Sequence, residues 1–87
     1  MKKEEKILKA LANRRRLEIV KYLKGRKEAS VSDISEKIQL SFKAISKHLA
    51  VLYSAEILDK EQKNIYVYYY ISANIPQLAK NILTMIN

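Results

Sequence analysis

Residues 31–55 constrain the fold more than any other stretch, because two short amphipathic segments there are joined by only three residues, Gln39-Leu40-Ser41. The first segment, about 31–38, presents Val31, Ile34 and Ile38 at helical spacing. It begins with Ser30-Val31-Ser32-Asp33, the Ser-x-x-acid pattern of a capping box with Asp in place of the usual Glu or Gln. The second segment, about 42–55, has Ser41 at its cap position and carries Phe42, Ile45, Leu49 and Leu52 as an inner stripe. At about 100° per residue, Lys43, Lys47 and Ser54 fall on the opposite side, with Ser46 and His48 on the flanks. Two helices across so tight a turn make a helix-turn-helix, whose second helix lies in the major groove of DNA. Two lysines near the start of that helix suit phosphates and base edges. The plainer alternative is a solvated helix face on which two lysines coincide.

Directly downstream the hydrophobic period changes from helical to alternating. Between Ile57 and Ile71, Val67, Tyr69 and Ile71 alternate with Tyr66, Tyr68 and Tyr70, which is strand spacing rich in aromatic and branched residues. Lys63-Asn64 separates two such runs and suits a hairpin turn, since Asn accepts positive φ better than most residues. Upstream, residues 3–12 read as a helix with Ile7, Leu8 and Leu11 on one side. Asn13 is the cap of a second helix reaching about Lys24, with Leu17, Val20 and either Ile19 or Leu23 facing inward. Gly25 is expected to end it in the left-handed conformation that glycine tolerates best. A last helix is expected over 75–86, with Asn74 as cap, Pro76 in the first turn, and Ile75, Leu78, Ile82, Met85 and Ile86 as its apolar stripe. The order predicts a mainly α fold, a winged helix-turn-helix of about five helices plus a two-stranded β-hairpin. It forms one domain over 1–87, with the helix-turn-helix at 31–55, the wing at 57–71 and terminal helices at 3–12 and 75–86.

A chain of 87 residues buries a small fraction of its surface, and the absence of cysteine removes both disulfides and thiolate metal sites. Oligomerisation is the remaining reinforcement. The net charge of +8 points to a polyanionic partner. Residues 1–29 hold eleven Lys or Arg against four Glu, whereas residues 30–58 balance to zero and 59–87 to +1. With no apolar run of signal-peptide or membrane-spanning kind, a cytoplasmic protein is expected. One glycine excludes a Gly-rich phosphate loop, the carboxylates do not pair at a suggestive spacing, and the single histidine lies on the proposed DNA-reading helix. Neither an enzyme nor a cofactor-binding protein is expected, and one histidine without cysteine makes no metal site.

Several stretches resemble the ArsR family of regulators. Residues 8–23, LKALANRRRLEIVKYL, resemble the family's opening, in which Leu-x-Ala-Leu-Ala precedes a polar cap, here Asn13, and an Arg-Leu pair, here Arg16-Leu17. Residues 45–52, ISKHLAVL, resemble its recognition-helix signature, and 55–71, AEILDKEQKNIYVYYYI, resemble the wing. The resemblance implies a dimeric repressor and gives Ser46, Lys47 and His48 the role of DNA contacts. Metal-sensing members place Cys on the third helix, where this chain has Val31-Ser32-Asp33-Ile34-Ser35, or Asp and His on the last, where it has Gln77, Lys80 and Asn81. Phe42 occupies a recognition-helix position that is often polar and near bases in the family. Glu56 stands where a Gly usually leads into the wing, and Asn64 where the tip commonly has Gly.

The resulting expectation is a dimer on double-stranded DNA. Ser41, Lys43, Ser46, Lys47 and His48 would contact DNA from the helix, Lys60 and Lys63 from the wing, and Arg14 and Arg15 along flanking phosphates. Arg16, next to Leu17, is instead a candidate internal ion-pair partner. Ile7, Leu8 and Leu11 with Leu78, Ile82, Met85 and Ile86 form the expected two-fold interface, the alternative being that they complete the monomer core. The tyrosines satisfy strand propensity, or else pack against a partner subunit or the DNA backbone. The rival reading overall is a winged helix used for protein contact, or for architectural or RNA binding.

Overall fold

The computed structural model describes residues 1–86. Helix α1 spans Lys2–Leu11 and α2 Arg14–Lys24. Between them the Asn13 side chain accepts a hydrogen bond from the Arg16 backbone N–H at 3.1 Å, pairing an otherwise orphan donor. Both Ile19 and Leu23 are fully buried, so α2 turns both inward, while Leu17 is half-buried. Gly25 follows the helix but has φ −97, not the left-handed value expected of it. The Arg26 N–H bonds the Leu23 carbonyl at 3.1 Å and closes the turn, and a Cβ on Gly25 would meet nothing. The left-handed residues lie elsewhere, at Gln39, Glu56 and Asn64, with φ of 61, 63 and 59.

Strand β1, Ala29–Ser30, pairs antiparallel with β3, Tyr66–Ile71, which also pairs with β2, Leu58–Lys63. The sheet order β1-β3-β2 puts β3 at the centre. The two-stranded wing of the sequence is therefore three-stranded at its base, since two residues are too few to show a period. The register pairs Lys63 with Tyr66, so the hairpin turns on Asn64-Ile65, one residue later than Lys63-Asn64. Tyr69, in the middle of β3, is buried, whereas Tyr66 is exposed.

Ser30 also caps α3, Val31–Ile38: its hydroxyl accepts from the Asp33 N–H at 3.1 Å and Asp33 Oδ2 accepts from the Ser30 N–H at 3.3 Å. This is the reciprocal capping box read from the sequence. Helix α4, Phe42–Ser54, follows the left-handed Gln39, whose N–H bonds the Ser35 carbonyl at 2.8 Å. Ile45, Leu49 and Leu52 are fully buried, but Phe42 is 58% exposed. The inner stripe thus starts one turn later than its spacing suggests, because the first turn of α4 extends beyond what the body covers.

Helix α5 runs Gln77–Met85, two residues shorter at its start than expected, with Pro76 at the cap position. A residue preceding proline is disfavoured in helical conformation, so Ile75 cannot begin the helix. Asn74 does not cap; its N–H donates to Ser72 Oγ at 3.2 Å. Ala79 and Leu83 are the buried positions of α5, and Met85 is 73% exposed. Lys24 Nζ donates to the Leu83 and Ile86 carbonyls at 2.6 and 3.1 Å, placing a cation at the negative end of α5. Among the described residues no helix is long and apolar enough to cross a membrane.

Candidate nucleic-acid interface

The turn Gln39-Leu40-Ser41 sets α3 against α4 and leaves the outer side of α4 in solvent. Ser41 Oγ accepts from the Ala44 N–H at 3.1 Å, so its oxygen is occupied in capping while its hydroxyl proton remains free to donate. Lys43 and Lys47, one turn apart, are exposed, and neither joins an ion pair among the described residues. Ser46 lies half-buried beside them. These residues share one accessible face, as their spacing indicates.

The structure does not put His48 on that face. His48 is half-buried, and its Nδ1 lies 3.2 Å from the Arg16 guanidinium. Guanidinium donates only, so Nδ1 must be unprotonated and the neutral ring carries its proton on Nε2. Burial, then the charges of Arg16 and Arg15, hold its pKa below the ordinary histidine value. Arg16 also donates Nε to the Ala10 carbonyl at 2.6 Å and a terminal nitrogen to the Lys9 carbonyl at 3.2 Å. It is internal, as its place beside Leu17 suggests, but its partners are two carbonyls and an imidazole instead of an acid.

Other cations expected to be free are engaged. Lys63 Nζ reaches Glu28 Oε2 at 2.8 Å and Oε1 at 3.0 Å, and lies 5.5 Å from the Tyr68 ring centroid. The Glu28 hydrogen bond leads the causes that raise the Lys63 pKa. Lys60 sits 4.5 Å over the Tyr53 ring, and Arg15 pairs with Glu18 at 3.2 Å. Arg14 is exposed and forms no ion pair among the described residues. No spacing rule joins residues 28 and 63; the pairing of β1 with β3 brings them together, so sequence reasoning missed Glu28.

Of the apolar residues expected at a two-fold interface, Ile7 and Leu11 are buried in the chain's own core. Leu8, 49% exposed, and Met85 remain outward, with Leu78, Ile82 and Ile86 partly covered. The donor set does not fit the metal sites of metal-sensing relatives: α3 and α5 offer no Cys or His, and no metal-holding group of three ligands exists among the described residues.

Residues 13–60 match the model of the bacterial regulatory protein, arsR family. The arsenical resistance operon repressor of Bacillus subtilis is 36% identical over 69 residues, covering 79% of this chain and 66% of the relative. The transcriptional repressor SdpR of the same organism is 33% identical over 81 residues, covering 93% of this chain and 87% of SdpR. The structure of HlyU from Vibrio cholerae superposes with a TM-score of 0.83 at 32% identity, covering 95% of this chain and 86% of HlyU. A homodimeric winged helix-turn-helix DNA-binding domain from Mycobacterium bovis shares the fold, with a TM-score of 0.84 at 24% identity over 98% of this chain and 75% of that one.

Proposed function

This chain belongs to the ArsR family of bacterial regulatory proteins, and we propose that it acts as a cytoplasmic homodimeric repressor that docks two α4 helices into successive major grooves of an operator. The observation that carries this reading is the outward pair Lys43 and Lys47 on the second helix of a helix-turn-helix, in a chain of net charge +8. Lys43 and Lys47 contact phosphates and base edges, Ser41 and Ser46 donate from their hydroxyls, and the wing lies beside the adjacent minor groove with Lys60 nearest the body. Arg14 follows flanking phosphates. Leu8 and Met85, with the exposed parts of Leu78, Ile82 and Ile86, cover one another across a two-fold axis. That symmetry sets two recognition helices about one turn of DNA apart. Occupying promoter DNA then blocks transcription.

Selection from random-sequence duplex DNA at two salt concentrations tests this. The expected result is an enriched inverted repeat with half-sites about one helical turn apart and affinity falling steeply with salt. Lys43→Glu with Lys47→Glu is expected to weaken binding at least tenfold and to reduce the salt slope by about 2, one unit for each lost phosphate contact. Wild-type binding by that double variant would move the function to protein contact, and salt-sensitive binding without an enriched sequence to an architectural or RNA-directed role.

A further inference from the structure

Phe42 opens α4 with 58% of its surface in water, directly before Lys43 and one turn before Ser46. Nothing local selects a phenylalanine there. It lies outside the buried core, and no ring or cation stacks on it among the described residues. Its helix propensity is below that of Lys, Glu or Gln. Other exposed apolar side chains have local accounts. Tyr53 carries Lys60 over its ring, Tyr66 meets the edge of Tyr68, and Leu8 and Met85 lie on the terminal helices.

We propose that Phe42 is a specificity-determining residue that seats its ring against the C5-methyl group of a thymine in the major groove. The inference rests on the DNA-binding reading above and names the base that reading leaves open. The N-terminal residues of a recognition helix are those that meet base edges, and Phe42 is the first residue of α4. Two exposed, unpaired lysines beside it attract the phosphates on either side of the groove. On the groove floor the thymine methyl is the apolar feature of the bases, and apolar side chains recognise it by contact. A ring in water on a cationic face has its complement there: the contact removes apolar surface from both partners, which neither a phosphate nor a polar base edge does. Ser46, at i+4 from Phe42, supplies a hydroxyl to a neighbouring base edge.

The test uses the full chain on its selected operator, replacing each half-site thymine in turn by deoxyuridine, which lacks only the methyl. One thymine per half-site is expected to show about a fourfold loss, the worth of one buried methyl-sized group. Phe42→Ala is expected to bind the natural operator more weakly and to be indifferent to uracil at that position, while Phe42→Leu keeps part of the sensitivity. Wild-type affinity unchanged by uracil at every position overturns the proposal, as does a Phe42→Ala variant with wild-type uracil sensitivity. The wild-type scan decides even if a variant folds poorly. If operator binding stays steep in salt and is lost with Lys43→Glu and Lys47→Glu while the scan is silent, the Phe42 role alone falls. If selection enriches no sequence, both fall.

Discussion

Arg16 sends its guanidinium to three places: the Ala10 and Lys9 carbonyls at the end of α1, and His48 Nδ1 on α4. Carbonyls at a helix C-terminus lack internal partners and favour a cation, so one side chain closes α1 and fixes its angle to the recognition helix. Arg16→Ala is expected to lower stability by about 2 kcal/mol, because it strands part-buried acceptors, and chemical denaturation measures it. Lysine does not substitute, since an ammonium cannot reproduce the planar fork. His48 adds a pH dependence whose sign follows from its lowered pKa. Above the ordinary value of 6.5 the ring is neutral in both folded and unfolded chains and the full stability is present. As pH falls below 6.5 the unfolded chain takes up the proton first, and stability declines until the folded ring is protonated too. Melting curves from pH 7.5 to 5 should show this decline, and His48→Gln should flatten it. Of these features the sequence shows Arg16 beside Leu17 and His48 on a flank of α4. It does not show their contact, because 32 residues separate them.

The elements divide by how local their determinants are. Helix α3 and its start were legible because Ser30 and Asp33 lie within one turn and complete each other's hydrogen bonds. The start of α5 was read as Asn74 although Pro76 forbids helical geometry at Ile75, a restriction equally local but outweighed by the apolar stripe. Glu56 occupies the left-handed position where family members usually carry Gly, so the entry to the wing keeps its backbone shape without the residue that adopts it most easily. The wing's attachment was not legible. It depends on β1 pairing with β3 and on the Lys63–Glu28 ion pair. A phosphate and Glu28 compete for Lys63. Glu28→Gln should therefore tighten DNA binding and steepen its salt dependence by about one unit, measured by anisotropy across a salt series. With Lys63→Ala in place, Glu28→Gln should have no such effect.

At the scale of the molecule, charge and apolar surface are segregated. The outward side of α4 carries unpaired lysines, while α1 and α5 pack together and leave Leu8 and Met85 in water. Burying Ile7 and Leu11 in the chain's own core narrows the surface two copies can share, so the dimer rests on fewer residues than the amphipathic stripes imply. Leu8→Glu should leave the monomer fold intact, because the position is half in water, and shift sedimentation velocity profiles toward a monomer. Operator affinity should fall with it, since a monomer engages one half-site.

The sequence by itself determined what depends on neighbours a few residues apart: the helix periods, the Asn13 and Ser30 caps, the three-residue turn, and which face of α4 carries its lysines. Period and capping act over one or two turns, so their signals survive in a single string of residues. Tertiary structure alone decided that Phe42 projects into water, that Arg16 joins α1 to α4, that Ile7 and Leu11 turn inward, and that Glu28 holds the wing lysine. Each of these follows from segments brought together across many residues, where packing of the whole chain, and no local preference, sets which side chains meet.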